Sequence, residues 1–472
     1  MSGLEAVEIK LSELERTQRI DSEFYKKENL SILSILKRKA CVRITDNFDV
    51  SDGNHMSISH DFREEGIRYY RGGDSHNFFI EESNPICIGK EAYNLPTMKR
   101  SHLRKNDVLL SIVGTIGNVC VVRTDNEQTC NCKLAILRPK KSEKALTAAL
   151  FLKSRYGQNQ IQKFKRGAVQ MGFLLEDTDQ IVMPEFSKNF YEVIAVLVSN
   201  AENLLITSSS SYNVAESHLL AALGMDNFTP SNEPVAVKSF SESFGTSGRL
   251  DAEYYQKKYE DYLNILTRHL HSFVYKEFDS VTTPCSLDKL SYPYIEISNI
   301  NVGNGSFSYN IIETELLPTN AKICPIQGDL LVSKVRPYRG AVAIIDCTIN
   351  NLIVSGAFTV LRPKSIYPVE VLAVLMRSTI YKDWFMKWNV GSSYPVIRDN
   401  DVLNLPIPIF DAQTQDKIVN DVRESYTLRR QSEQLLDTAK RAVEIAIEEN
   451  EKEAIKWLDE SDTKTYLFNN IV

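Results

Sequence analysis

The chain has 472 residues, 43% hydrophobic and 25% charged, with a net charge of −6. That length is too great for one typical core and predicts two or three domains of ordinary soluble composition. The charge argues against a nonspecific polyanion binder held by phosphate contacts alone, and no apolar run reaches the roughly 20 residues of a membrane span.

From residue 411 onward there are 14 acids and nine bases, so this tail carries most of the excess and the body before it is close to neutral. A near-neutral body can still present basic faces locally. Met1 to Lys10 lack the apolar centre of a signal peptide, so a cytoplasmic protein is expected. Eight cysteines in so long a chain make no disulfide framework and are expected to be small buried or half-buried thiols. Cys130 and Cys132 form a lone CxC with no second pair and no nearby histidine, short of the four ligands of structural zinc.

In chain order, the first distinctive block is Arg19-Ile-Asp-Ser-Glu-Phe-Tyr-Lys-Lys. Strands are predicted over 108–112, 118–123 and 134–137, followed by a helix over 145–164. A long helix is expected from about 188 to 223, stopped by Gly224. Residues 227–233 (NFTPSNE) read as a linker. The blocks then return. Arg249-Leu-Asp-Ala-Glu-Tyr-Tyr-Gln-Lys repeats the first, 230 residues on. Asp107-Val-Leu-Leu-Ser returns as Asp329-Leu-Leu-Val-Ser, and Leu137-Arg-Pro-Lys as Leu361-Arg-Pro-Lys. Ile181-Val-Met-Pro-Glu-Phe matches Leu405-Pro-Ile-Pro-Ile-Phe. Strands are expected again over 329–333, 341–345 and 357–361, and a helix over 369–388. Four matched blocks in one order mark an internal duplication of an α+β domain followed by a long helix.

The two helical stretches superpose at an offset of 224. One seam runs Ile194, Ala201, Ser208, Ala215, Ala222 and its counterpart Ile418, Ser425, Ser432, Ala439, Ala446. Leu197, Leu204 and Leu205 flank the first; Leu428, Leu435 and Leu436 flank the second. Small and apolar residues at a spacing of seven suit two closely packed helices. His218 and Asp421 interrupt the seam.

Catalytic signatures are missing. There is no GxxxxGK[ST] phosphate loop, no GxGxxG after a strand, no HExxH and no GxSxG. An amino-methyltransferase would need a cofactor-binding half and an Asn/Asp-Pro-Pro-aromatic element, and neither is present. No catalytic residue and no metal ligand is assigned.

Asp107-Val-Leu-Leu-Ser-Ile-Val-Gly-Thr-Ile-Gly-Asn and Gly328-Asp-Leu-Leu-Val-Ser, each followed by Leu-Arg-Pro-Lys, resemble the central signature of the specificity subunits of type I restriction–modification systems. So do Tyr69-Tyr-Arg-Gly-Gly-Asp-Ser and Tyr294-Ile-Glu-Ile-Ser-Asn-Ile. Val390-Gly-Ser-Ser-Tyr-Pro-Val-Ile and Leu405-Pro-Ile-Pro-Ile-Phe, with Gln413 and Gln415, resemble the segment that closes a recognition domain. The first half departs, keeping Pro184 but lacking the proline-rich run. The resemblance covers nearly the whole chain. It implies an α+β fold in which two similar target-recognition domains, 1–186 and 227–410, are separated by two long antiparallel coiled-coil helices, 187–226 and 411–472 with its tail, in a pseudo-two-fold internal repeat. It implies a non-catalytic subunit that reads a bipartite, asymmetric target in double-stranded DNA. Two methyltransferase subunits and a restriction motor would be its partners, and S-adenosylmethionine and ATP would bind in those partners, with no cofactor in this chain. The rival readings are a stand-alone DNA-binding or anti-restriction protein of the same architecture, a subunit of a related methylase or nuclease system, and a fused enzyme, which the missing motifs disfavour.

DNA recognition needs cations for phosphates and forked or amide donors for base edges. In the first half the candidates are Arg71, Asp74, Ser75, Ser111, Thr115, Lys163, Lys165, Arg166 and Gln170. In the second they are Ser333, Lys334, Arg336, Tyr338, Arg339, Ser392, Ser393, Tyr394 and Arg398. Three cations and an aromatic within Lys334 to Arg339 replace the small Gly114-Thr-Ile-Gly turn of the first half, so the halves should read different bases. Gly72, Gly73, Gly117 and Gly340 are expected to serve turns or close backbone approach. Trp384, Phe385 and Trp388 are expected in the core.

Overall fold

The computed structural model describes residues 6–11, 14, 19–80, 86–167, 171–225, 228–391 and 393–461. The chain divides into two units: residues 1–205 with 430–472, and residues 206–429.

In unit 1, strands β1 (Phe48–Asp52), β2 (Val108–Ser111), β3 (Val119–Val121) and β4 (Leu134–Pro139) form one antiparallel sheet in the order β1-β4-β2-β3. Val108-Leu-Leu-Ser is buried on both faces, which suits a run of apolar residues without alternation. A short ladder pairs Cys41–Arg43 with Val182–Pro184, tying the two ends of the half together. Ile67–Tyr70 pairs with Cys87–Ile88 and, in parallel, with Gln128–Cys130. Helices α1 (Ala145–Lys153) and α2 (Arg155–Lys163) follow the sheet.

Unit 2 is ordered alike. Strands β5 (Phe278–Ser280), β6 (Leu330–Ser333), β7 (Val342–Ile344) and β8 (Phe358–Pro363) form an antiparallel sheet in the order β5-β8-β6-β7. His271–Phe273 pairs with Pro406–Pro408. A second sheet joins Ser291–Ile295, Asn310–Glu313, Ala321–Ile323 and Ile353–Ser355. Helices α3 (Val369–Arg377) and α4 (Thr379–Lys387) follow. Trp384 and Phe385 are core residues, with Trp388 packed against them.

The single helices expected over 145–164 and 369–388 are each two helices. The breaks fall at Ser154 and Ser378, both extended in backbone conformation. Each hydroxyl donates to a carbonyl of the preceding helix, Phe151 O and Leu375 O, at 2.6 Å. Ser154 also accepts from the Gly157 amide at 3.4 Å. A serine at a helix start competes for backbone groups and so ends one helix while capping the next.

Two long helices, Lys188–Ala222 and Ala412–Glu448, each contribute to both units. The first ends as expected: Gly224 takes φ +67°, with its amide on Ala221 O and that of Met225 on Leu220 O. In unit 1, Ile194, Leu197, Val198 and Ala201 share a core with Leu435, Ala439, Ala442 and Val443, and Leu204, Leu205 and Leu436 pack against it. The Ser432 hydroxyl donates to Ala201 O at 2.6 Å. In unit 2, Tyr212, Ala215 and Leu219 share a core with Ile418 and Val422. Leu428 is half-buried. The Ser208 hydroxyl donates to Ser425 O at 2.7 Å. His218 and Asp421, the residues that interrupt the seam, meet at 3.0 Å. Contacts from Ser208 to Ser425, Ser211 to Glu424 and His218 to Asp421 run in opposite directions along the chain, so the segments are antiparallel here.

Two expectations are corrected. Cys285 and Cys324 form a disulfide with Cα atoms 5.9 Å apart. Thirty-nine residues separate them in sequence, but the Pro284–Ile323 bridge sets them side by side. The helix Lys188–Ala222 is long and apolar enough, by length and composition, to cross a membrane. Its apolar residues recur every seven, with a run of serines and few charges between them. Within it Ile194, Leu197, Val198 and Ala201 are fully buried.

Candidate nucleic-acid interface

The signature repeated in the sequence proves to be a staple of the sheet. Asp107 is fully buried where β2 begins, and Arg138 of β4 forks onto it at 2.9 and 2.7 Å. Asp329 and Arg362 repeat the fork at 2.9 and 2.7 Å. The Arg104 and Ile326 amides also donate to these carboxylates. A buried carboxylate needs such a partner and several donors. Asp and Arg of the signature therefore fix the turns that lead into β2 and β6, the strands whose far ends carry the candidate loops.

In unit 1 three segments converge. Arg71 to Ser75 follows a strand end; its Asp74 is buried, accepts from the Arg71 amide at 2.7 Å, and burial raises its carboxyl above the ordinary range. Ser75 is buried and donates to Gly72 O at 2.8 Å. Ser111 is buried and lies 3.1 Å from the Thr115 hydroxyl, which is exposed and donates to Gly72 O at 3.2 Å. The segment after α2 joins them through a Val113–Gly172 bridge. Arg71 lies 3.6 Å from Asp74, and Arg166 lies 2.5 Å from Asp177. Lys163 is buried with its ammonium 4.0 Å from the centre of the Phe24 ring. Lys165 is half-buried and, with Arg19, Lys26, Arg155, Lys163 and Arg166, lines a groove of about 1160 Å³. Gln170 lies outside the described residues.

In unit 2 two loops meet. The Val335–Val396 bridge joins Lys334–Gly340 to the segment ending at Arg398. The Ile397 amide donates to Lys334 O at 2.9 Å and the Arg336 amide to Pro395 O at 2.8 Å. That last bond holds Arg336 at φ +50°, in the left-handed region unusual for a residue with a Cβ. Gly340 closes the turn at φ +71°. Arg336 is exposed, its guanidinium 5.8 Å from the Tyr394 ring centre. Arg339 lies 5.9 Å from the ring of Tyr338. Tyr338 and Tyr394 are 43% and 46% exposed. Lys334 pairs with Asp399 at 3.1 Å, and Ser333 is buried with its hydroxyl on Val335 O at 2.8 Å. Ser393 and Arg398 are exposed; Ser392 lies outside the described residues.

The structure thus separates the candidates. Asp74, Ser75, Ser111 and Ser333 are buried with their polar atoms bonded inside the unit, so in this conformation they shape loops. Thr115, Arg336, Tyr338, Ser393, Tyr394 and Arg398 are exposed. Arg336 and Arg339 carry no ion pair among the described residues, whereas Arg71 and Arg166 do. Two glutamines of α2 were missed by the sequence reading: Gln158 donates to Gly117 O at 2.7 Å and Gln162 to Ile116 O at 3.3 Å. Their spacing of four puts both on one helix face, a signal available in the sequence.

No family model matches the chain. Over 135 residues it is 30% identical to the type I restriction enzyme HindI specificity subunit of Haemophilus influenzae. The curated relative is a type I restriction specificity subunit. The match spans 28% of this chain and 29% of the relative's length. Among solved structures, the chain overlaps the S subunit of a type I restriction–modification system from M. genitalium over 87% of its own length and 95% of that chain, at 14% identity and a TM-score of 0.36. It overlaps the HsdS subunit of Thermoanaerobacter tengcongensis over 87% and 96%, at 13% identity and a TM-score of 0.28. Scores this low do not establish a shared fold.

Proposed function

We propose that this chain is the DNA sequence-recognition subunit of a type I restriction–modification complex, cytoplasmic and non-catalytic. The observation that carries this reading is the exposed pair of loops in unit 2. There, guanidinium groups with no ion pair among the described residues lie beside two exposed tyrosine rings, on loops that meet through a backbone bridge. Arginine is the commonest forked donor to guanine and the usual partner of phosphate. The HindI specificity subunit, similar over part of the chain, supports the same reading. The functional division is into recognition domains 1–186 and 227–410, with helical segments 187–226 and 411–472 as an antiparallel coiled coil. Each recognition domain reads one half of a bipartite, asymmetric target. Two modification subunits dock on the chain and bring S-adenosylmethionine; a restriction motor brings ATP.

Recovery of the tagged full chain from its native host tests this assignment. The expected result is co-purification of a methyltransferase in stoichiometric amount, with methyl transfer to DNA by the recovered assembly. A chain recovered alone that binds DNA unaided is a stand-alone binding protein, and one that methylates DNA alone is an enzyme; either result overturns the proposal.

A further inference from the structure

The block Arg-x-Asp-x-x-aromatic-Tyr stands at the head of each half. In both units it closes onto the end of a helix. Arg19 forks onto Asp21 at 2.7 and 2.9 Å and donates its remaining nitrogen to Lys163 O, at the end of α2, at 3.4 Å. Arg249 forks onto Asp251 at 2.7 and 2.5 Å and donates to Asn389 O, just beyond α4, at 3.2 Å. The guanidinium lies 4.8 Å from the Phe24 ring centre in one copy and 4.7 Å from that of Tyr254 in the other.

The match continues outward. Phe24 meets Phe164 edge-on, centroids 5.4 Å apart at 76°. Tyr254 meets Trp388 at 5.4 Å and 78°. A lysine of the helix end caps each aromatic: Lys163 over Phe24 at 4.0 Å and Lys387 over Tyr254 at 4.8 Å. Phe164 and Trp388, like the two lysines, are 224 positions apart, the offset at which the halves superpose. Independent side chains therefore build one device twice.

The chemistry suits a helix end. The last carbonyls of a helix, Lys163 O among them, lack intrahelical donors and carry partial negative charge, and a guanidinium satisfies both needs, while Asn389 O lies two residues past the end of α4, in the turn that leaves it. The fork to Asp fixes the guanidinium plane, leaving one N–H edge aimed at the carbonyl. The chain leaves that point directly into the candidate recognition loops. Arg166 and Gly172 exchange backbone bonds at 2.9 and 2.7 Å, and the Phe173 amide reaches Ile112 O at 2.9 Å. In unit 2 the Val390 amide reaches Val396 O at 3.0 Å and the Ile397 amide reaches Lys334 O.

We propose that Arg19–Asp21 and Arg249–Asp251 are positioning pairs, each latching the helix end from which its unit's recognition loop departs. The role of the loops rests on the DNA-reading function proposed above; the latch does not.

The test uses the full chain carrying Arg249→Gln, Arg249→Lys or Arg19→Gln, with hydrogen exchange followed at single amides without DNA. Arg249→Gln should speed exchange of Val390, Val396 and Ile397 about tenfold, and leave Arg166, Gly172 and Phe173 unchanged. Arg19→Gln should do the reverse. Arg249→Lys keeps the charge but not the fork, and should fall between wild type and Arg249→Gln. In the native assembly, Arg249→Gln should weaken DNA binding with the salt slope unchanged. Unchanged exchange in the loop overturns the latch. A salt slope lower by about one without faster exchange makes Arg249 a phosphate contact and also overturns it. Faster exchange in a protein that never bound DNA leaves the latch standing and refutes the DNA reading alone.

Discussion

Asp329 has no exposed surface, and the Arg362 guanidinium is its charge partner at 2.7 Å. Replacing Asp329 by Asn removes the charge while Arg362 stays in place. Removing one member of a buried pair is costly, but Arg362 keeps 38% of its side-chain surface in water. Screening therefore holds the loss to about 2 kcal/mol. Urea denaturation of Asp329→Asn should show unit 2 unfolding at lower denaturant; an unchanged midpoint contradicts the staple. The same fork explains why the Asp and Arg of the signature were legible in the sequence as a pattern but not as a role. An acid before an apolar run, and an arginine after one, read as surface charges until the sheet sets β4 beside β2 and β8 beside β6. The surroundings of Ser111 and Ser333 were hidden in the sequence for a related reason. A hydroxyl in a loop looks available for DNA, and only the fold shows it already bonded to Thr115 or to Val335 O.

At the scale of elements, the residues spaced by seven are buried except Ala222, which is half-buried. Ile194, Ala201, Ser208 and Ala215 are buried, as are Ile418, Ser425, Ser432, Ala439 and Ala446. Serines fit among them because Ser208 and Ser432 each donate to a carbonyl of the facing helix and the Ser425 hydroxyl lies 3.1 Å from that of Ser208. Leu435, 1% exposed in the core of unit 1, is the sharpest probe of this packing. Leu435→Ala should cost about 2–5 kcal/mol by transfer and cavity together, whereas Leu428→Ala, at a half-buried site, should cost clearly less. Equal losses in denaturant titrations would contradict the packing described. The breaks at Ser154 and Ser378 were less legible. Apolar periodicity runs through both, and a single serine signals a cap only when the backbone around it has turned. The Cys285–Cys324 pairing was not legible at all, because it depends on which strands of the second sheet lie side by side.

At the scale of the whole molecule, the two halves share one ordering of strands and helices but differ in how they hold charge. In unit 1, Arg71 and Arg166 are tied to Asp74 and Asp177. In unit 2, Lys334 is tied to Asp399, whereas Arg336 and Arg339 lie beside tyrosines without a carboxylate among the described residues. This asymmetry was visible in outline when Arg336-Pro-Tyr-Arg-Gly was set against Gly114-Thr-Ile-Gly. The neutralisation of the unit 1 cations was not, since Asp177 comes from a separate segment. Under the proposed function, this asymmetry predicts a split specificity, in which a change in one half alters one part of the target only.

Selection of duplexes from a randomised pool by the native assembly tests this most directly. The wild-type assembly should enrich a two-part motif. Arg336→Ala should relax one position in one part, at a cost of about 1–3 kcal/mol, and leave the other part intact. If no motif is enriched, or if Arg336→Ala leaves motif, affinity and salt dependence unchanged, the chain does not read DNA through this loop and the account fails.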